Sequence, residues 1–197
     1  MPSVKNCRIG LLGGSFNPAH EGHLHISRLA LEELRLDQVW WLVAPQNPLK
    51  SADDMAPFAT RLALAEKATA EDTRIVVTGI EQELGTRYTL DTVRALKKKY
   101  PEARFVLVMG ADLLAELPKW KGWRSLFRTV PIAVFARPTY SLRALSGTAA
   151  RRFARFRIKW YRAGSLAAKR PPVWAFLHTR PNAQSATKIR ARRQGQG

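Results

Sequence analysis

Ile9-Gly10-Leu11-Leu12-Gly13-Gly14-Ser15-Phe16-Asn17-Pro18-Ala19-His20-Glu21-Gly22-His23 opens as an apolar run, passes two glycines and closes on two histidines. Arg8 to Leu12 reads as a buried strand. From Gly22 the period changes: Ile26, Leu29, Ala30 and Leu34 recur at helical spacing, opposite Arg28, Glu32 and Arg35. The stretch is therefore a strand, a glycine turn and a helix. Gly13 and Gly14 are expected to take backbone angles closed to other residues and to let a ligand approach the main chain. The free N–H groups and dipole of the helix attract anions, and His20 and His23 add donors to phosphate oxygens.

The same alternation continues along the chain. Val39–Val43, Arg74–Thr78, Phe105–Met109, Ile132–Ala136 and Val173–Leu177 are further apolar strands, with helices expected over about 58–70 and 90–99, a short one opening at Gly110-Ala111-Asp112, and another over Trp120 to Phe127. Pro45 and Pro48 exclude a helix from the loop 44–50. Strands buried on both faces and separated by helices imply an α/β fold: a doubly wound parallel sheet with helices on both faces. In such sheets ligands sit beyond the carboxyl ends of the strands, where the strand order reverses. The loops at 13–23, 45–50, 110–112 and 137–138 all lie at that edge. No repeat or linker divides the chain, so one domain over 1–197 is expected, with a basic helical insertion at about 139–172.

The chain has 197 residues, of which 46% are hydrophobic, enough for a substantial core and too many for a disordered segment. One cysteine, Cys7, excludes an internal disulfide, and no apolar run reaches the roughly 18 residues of a membrane span. A soluble, reducing, cytoplasmic setting is expected. Charge is divided unevenly: all 15 acids lie at or before Glu116, whereas 19 of the 33 Lys and Arg residues follow it. That asymmetry points to anionic ligands or surfaces without choosing among phosphorylated metabolites, nucleic acid and acidic membranes. Within the insertion, Ala149, Phe153, Phe156 and Trp160 recur among Arg151, Arg152, Arg155, Arg157, Lys159 and Arg162, which predicts an arginine-coated amphipathic helix docked by its aromatic stripe.

The first loop lacks the Gly-Lys-Ser/Thr of a Walker loop and the Gly-x-Gly-x-x-Gly of dinucleotide folds. Two histidines at a helix start suit a reaction in which charge grows at phosphorus, with the protein positioning and neutralising. Zinc is not expected, because no cysteine lies nearby and no third ligand stands at helical spacing. His25 is expected to face away from the crevice, and His178 only to follow the last strand. Near the carboxyl end, Ser185 and Thr187 stand where a helix begins, with Arg190 one turn on. These groups either cap the helix or hold phosphate oxygens.

With these residues in place, Gly13 to His23 resembles the signature of the HIGH-type nucleotidyltransferase superfamily, and Ser185 to Arg190 resembles its Ser-x-Thr-x-x-Arg motif. Arg87-Tyr88-Thr89-Leu90-Asp91-Thr92, Gly110 to Trp120 and Ala136-Arg137-Pro138 are similar to bacterial nicotinate mononucleotide adenylyltransferases. The resemblance implies a Rossmann-like fold and attack by nicotinate mononucleotide phosphate on the α-phosphorus of ATP, with Mg²⁺ accompanying ATP and no covalent intermediate. By matching positions it implies that His20 and His23 are catalytic. Gly13, Gly14, Ser15, Phe16, Asp112, Ser185, Thr187 and Arg190 would bind ATP, and Lys50, Tyr88, Thr89 and Trp120 nicotinate mononucleotide. Two alternatives stand beside this reading. One is a sister enzyme using nicotinamide mononucleotide or phosphopantetheine; the other is a basic nucleic-acid-binding protein on the same scaffold. A homo-oligomer is compatible with either.

Overall fold

All six apolar runs form strands, and one seven-stranded parallel sheet contains them. The computed structural model describes residues 4–45, 55–137 and 141–178. The strands are β1 (Arg8–Gly14), β2 (Gln38–Val43), β3 (Ile75–Thr78), β4 (Arg104–Gly110), β5 (Ile132–Phe135), β6 (Arg157–Ile158) and β7 (Trp174–Leu177), in the order β3-β2-β1-β4-β5-β7-β6. Central β1 pairs Leu12 with Trp41 on one side and Val108 on the other. The order reverses between β1 and β4, so the first crossover and the loop after β4 open into one crevice.

Side chains alternate across the sheet into two cores. Ile9, Leu11, Trp40, Leu42, Phe105, Leu107 and Met109 pack on one face, under α4 (Thr89–Lys99), α5 (Ala111–Glu116) and α6 (Trp123–Thr129). Leu12, Val39, Trp41, Val43, Val106 and Val108 pack on the other, under α1 (Glu21–Glu33) and α2 (Phe58–Thr69). Burial on both faces is why these strands read as continuous apolar runs. A one-turn α3 (Ile80–Glu83) precedes α4 and has no periodicity long enough to be seen in the sequence. Among the described residues no helix is long and apolar enough to cross a membrane.

Two expectations need correction. The glycines at 13 and 14 continue β1 rather than forming a left-handed turn; the residue of the loop with positive φ is Phe16, at 46°. Its ring is buried and stacks on Trp41 at a centroid distance of 4.8 Å, which holds a backbone conformation costing about 1–2 kcal/mol for a residue with a side chain. The basic insertion is likewise not one amphipathic helix. It comprises α7 (Ser141–Ser146), α8 (Thr148–Arg152), a 3-10 turn at Ala154–Phe156, edge strand β6 and a 3-10 run at Trp160–Ala168. Gly147 is extended between the first two pieces (φ −71°, ψ 164°). Phe153 then leaves the helix to stack on Phe127 at 4.1 Å, and its carbonyl accepts a 2.8 Å hydrogen bond from Trp174 Nε1. The aromatic stripe ends there: Phe153 is buried and Phe156 half-buried, but Trp160 is 58% exposed.

Candidate active site

The two histidines are held by the helix they introduce. His20 caps α1, its Nδ1 accepting from Gly22 N at 3.1 Å, and His23 Nδ1 accepts from His20 N at 3.3 Å. With both Nδ1 atoms accepting backbone N–H bonds, each neutral ring carries its proton on Nε2. Capping thus uses the Nδ1 edge of each ring, opposite the Nε2–H edge that the phosphate-donor reading requires. The imidazoles stack with centroids 3.8 Å apart, and His23 rests against Phe16 at 4.7 Å. A second layer anchors them: Trp41 Nε1 donates to Ser27 Oγ at 2.7 Å, and that hydroxyl donates to His23 O at 2.8 Å.

Burial and nearby positive charge keep both rings neutral. The pKa of His20 is lowered to about 4, first by burial and then by Arg137. That of His23 is pulled well below the ordinary histidine value by burial, His20 and Arg137. At neutral pH the pair is thus two N–H donors, with no lone pair free on Nε2 to act as a nucleophile.

Arg137, just beyond β5, faces the first turn of α5 beyond β4. Its Nε lies 3.4 Å from Asp112 Oδ1, which is buried and makes no hydrogen bond among the described residues. Gly110 makes this approach possible. A Cβ there would collide with Asp112 Oδ1 and stand 2.7 Å from Arg137 Nε, closer than real side chains come. Gly13 is exposed at the strand end, where a Cβ would meet nothing within 4 Å, so its main chain borders open space in the crevice.

Arg61 is the residue that sequence reasoning missed. Its side chain is only 1% exposed, and it donates to Ser15 O at 2.6 Å and to Ala44 O, Pro45 O and Ala56 O at 2.9 Å each. One guanidinium from α2 thus joins the loop after β1 to the loop after β2. No carboxylate spacing could have revealed it, because every partner is a backbone carbonyl. The available signal is an arginine at helical spacing with Ala65 and Thr69 on the buried face of α2.

The head of α4 and the turn after α5 form a second group. Tyr88 is the N-cap of α4 and makes no side-chain cap bond; its ring carries Lys121 Nζ at 4.4 Å. Gly122 is left-handed (φ 68°), and a Cβ there would meet Leu90 Cδ2 at 2.5 Å, so the turn containing Trp120 packs directly on the first turn of α4. The tryptophans of this turn divide: Trp123 is core at 7% exposure, and Trp120 is half-buried at the core's margin. Tyr88, Thr89 and Trp120 are thereby brought to one place. Lys50, Ser185, Thr187 and Arg190 lie outside the described residues.

Neutral, immobilised imidazole donors beside an arginine suit direct displacement at phosphorus between bound substrates, and that chemistry at a β1/β4 switch point defines a nucleotidyltransferase. The chain belongs to the cytidylyltransferase-like family, whose model matches residues 11–192. A protein of Parvibaculum lavamentivorans named "Probable nicotinate-nucleotide adenylyltransferase" is 53% identical over 94% of this chain and 92% of its own length. One of the same name from Methylorubrum extorquens is 51% identical over 94% of this chain and its whole length. Among solved structures, Plasmodium falciparum nicotinic acid mononucleotide adenylyltransferase complexed with NaAD superposes with a TM-score of 0.70 at 15% identity, covering 94% of this chain and 83% of its own. That likeness bears out the Rossmann-like fold.

Proposed function

We propose that this protein transfers the adenylyl group of ATP to nicotinate mononucleotide, giving nicotinate adenine dinucleotide and pyrophosphate. The observation that carries the reading is the pair of Nε2–H donors held at the sheet's switch point. The mononucleotide phosphate attacks the α-phosphorus of ATP in line, one P–O bond forms, and the bond to the pyrophosphate oxygen breaks. His20 and His23 donate to the oxygens on which charge grows, and Arg137 offsets that charge. Because both imidazoles are already neutral and fixed by Gly22 N and His20 N, no reorganisation is needed as the bonds change.

The relatives' names support nicotinate mononucleotide as acceptor, and so does the head of α4. Tyr88, Thr89 and Trp120 offer an aromatic surface for a pyridine ring beside backbone N–H groups of the first helical turn for its carboxylate. Gly13, Gly14, Ser15, Phe16 and Asp112 are assigned to ATP, as are Ser185, Thr187 and Arg190; Lys50 is assigned to the mononucleotide phosphate. Mg²⁺ enters with ATP as part of the substrate. The residue that would fit that role is Asp112, whose Oδ1 is a buried carboxylate oxygen with no hydrogen bond among the described residues. Cys7, the lone cysteine, is consistent with a reducing cytoplasm.

Incubating the protein with ATP, Mg²⁺ and nicotinate mononucleotide tests the reading, with nicotinamide mononucleotide and phosphopantetheine run beside it. Nicotinate adenine dinucleotide should form fastest. No dinucleotide and no pyrophosphate would refute adenylyl transfer, and a faster rate with another acceptor would refute the assignment of the ring pocket.

A further inference from the structure

A strongly basic groove lies at the opposite edge of the sheet from the crevice. Two adjoining hollows share Arg155, Phe156 and Pro172, and their rims carry Arg128, Arg152, Arg157, Lys169 and Arg170. Arg128 is in the last turn of α6 before β5, Arg155 stands two residues before β6, and Pro172 two residues before β7. In a parallel sheet these are all amino ends of strands, so the groove is separated from the catalytic loops by the length of the sheet.

Among the described residues no carboxylate pairs with these six cations, and the last carboxylate side chain in the sequence is Glu116. Like charges so gathered repel unless an external anion joins them. Planar groups lie in the same place: Arg155 covers the Phe156 ring at 4.7 Å and Arg157 that of Trp174 at 5.7 Å. Beyond the hollows, just past the two-residue β6, Trp160 and Tyr161 are 58% and 66% exposed.

We propose that this groove binds single-stranded nucleic acid, with phosphates on the arginines and lysine and bases stacked on Trp160 and Tyr161. Guanidinium forks suit phosphate, and exposed rings are sequence-tolerant stacking platforms. An anionic membrane fits less well, because the apolar residues of the 160–168 run, Ala163, Leu166 and Ala167, are already buried in the core. Of the large apolar side chains in that run only the rings of Trp160 and Tyr161 remain exposed, too narrow a face to enter a bilayer.

Fluorescence anisotropy of labelled single-stranded RNA and DNA of about 20 nucleotides, longer than a typical binding site, tests the proposal with the full-length protein across a salt series. Six phosphate contacts predict a slope of log Kobs against log salt of about −4. The triple variant Arg152→Gln/Arg155→Gln/Arg157→Gln should lower the slope to about −2 and weaken binding on the order of 100-fold at 0.1 M salt. Its unfolding midpoint and dinucleotide synthesis should stay at wild-type values. If that variant unfolds, Lys169→Gln/Arg170→Gln removes two exposed contacts and should weaken binding about 20-fold on the same basis. The proposal is overturned by absence of oligonucleotide binding, or by a folded variant that binds like the wild type. It is equally overturned by displacement of the oligonucleotide by ATP, or by binding only to phosphatidylserine vesicles.

Discussion

His20→Asn separates what the histidine does for catalysis from what it costs the fold. Asparagine is a good N-cap, so α1 keeps its first-turn acceptor, but the Nε2–H donor and the titration both disappear. In the wild type the folded state holds His20 at about 4, whereas an unfolded histidine titrates near 6.5. Below about pH 6.5 the unfolded chain therefore takes up a proton that the folded protein refuses. Stability is lost as pH falls through that window, and the loss is complete below about pH 4. Between pH 7 and pH 5, linkage gives a loss of about 2 kcal/mol from His20 alone, and His23 adds to it in the same direction. Urea unfolding at a series of pH values should show the Asn variant losing about 2 kcal/mol less than the wild type over this range. At neutral pH its turnover should fall on the order of 100-fold, the usual consequence of removing one transition-state donor. A variant with the wild-type pH slope would refute the buried neutral imidazole, and one with wild-type turnover would refute the donor role.

Arg61→Met removes four buried donors at once and should destabilise the protein by about 3–5 kcal/mol. Thermal unfolding checks this, and a midpoint within about 2 °C of wild type would show that the four carbonyls do not depend on the guanidinium. The neighbouring tryptophans should part company. Trp123→Ala deletes a core ring and should cost about 3–5 kcal/mol of stability. Trp120→Ala should leave the unfolding midpoint within a few degrees and raise KM for nicotinate mononucleotide about 10-fold, the loss of one stacking contact, with KM for ATP unchanged. A rise in KM for ATP instead would place Trp120 in the other nucleotide's subsite.

Which parts of this molecule could be read from its sequence follows from where the interactions lie along the chain. β1, β2 and β4 are buried on both faces, so each strand carries its own apolar record. The switch point then fixes which loops meet, and His20, His23 and Asp112 converge on it as expected. Phe16 was hidden because its left-handed backbone is enforced by a ring stacked on Trp41, 25 positions away, while the glycines at 13 and 14 simply extend the strand. The insertion misled for a related reason. Ala149, Phe153 and Phe156 repeat every three or four residues whether the chain is one helix or a series of tight turns, and only the stacking of Phe153 on Phe127 decides between them.

The same distinction explains how the crevice and the basic groove share a fold without sharing ligands. Among the described residues of the crevice, positive charge is spoken for: Arg137 leans on Asp112, Arg61 is consumed by four carbonyls, and the histidines are neutral. Such a site favours the moment when charge moves between oxygens, because fixed neutral donors gain most when an oxygen becomes more anionic. At the amino edge the cations are numerous, exposed and unpaired among the described residues, an arrangement that rewards any polyanion in its ground state and gives affinity without chemistry.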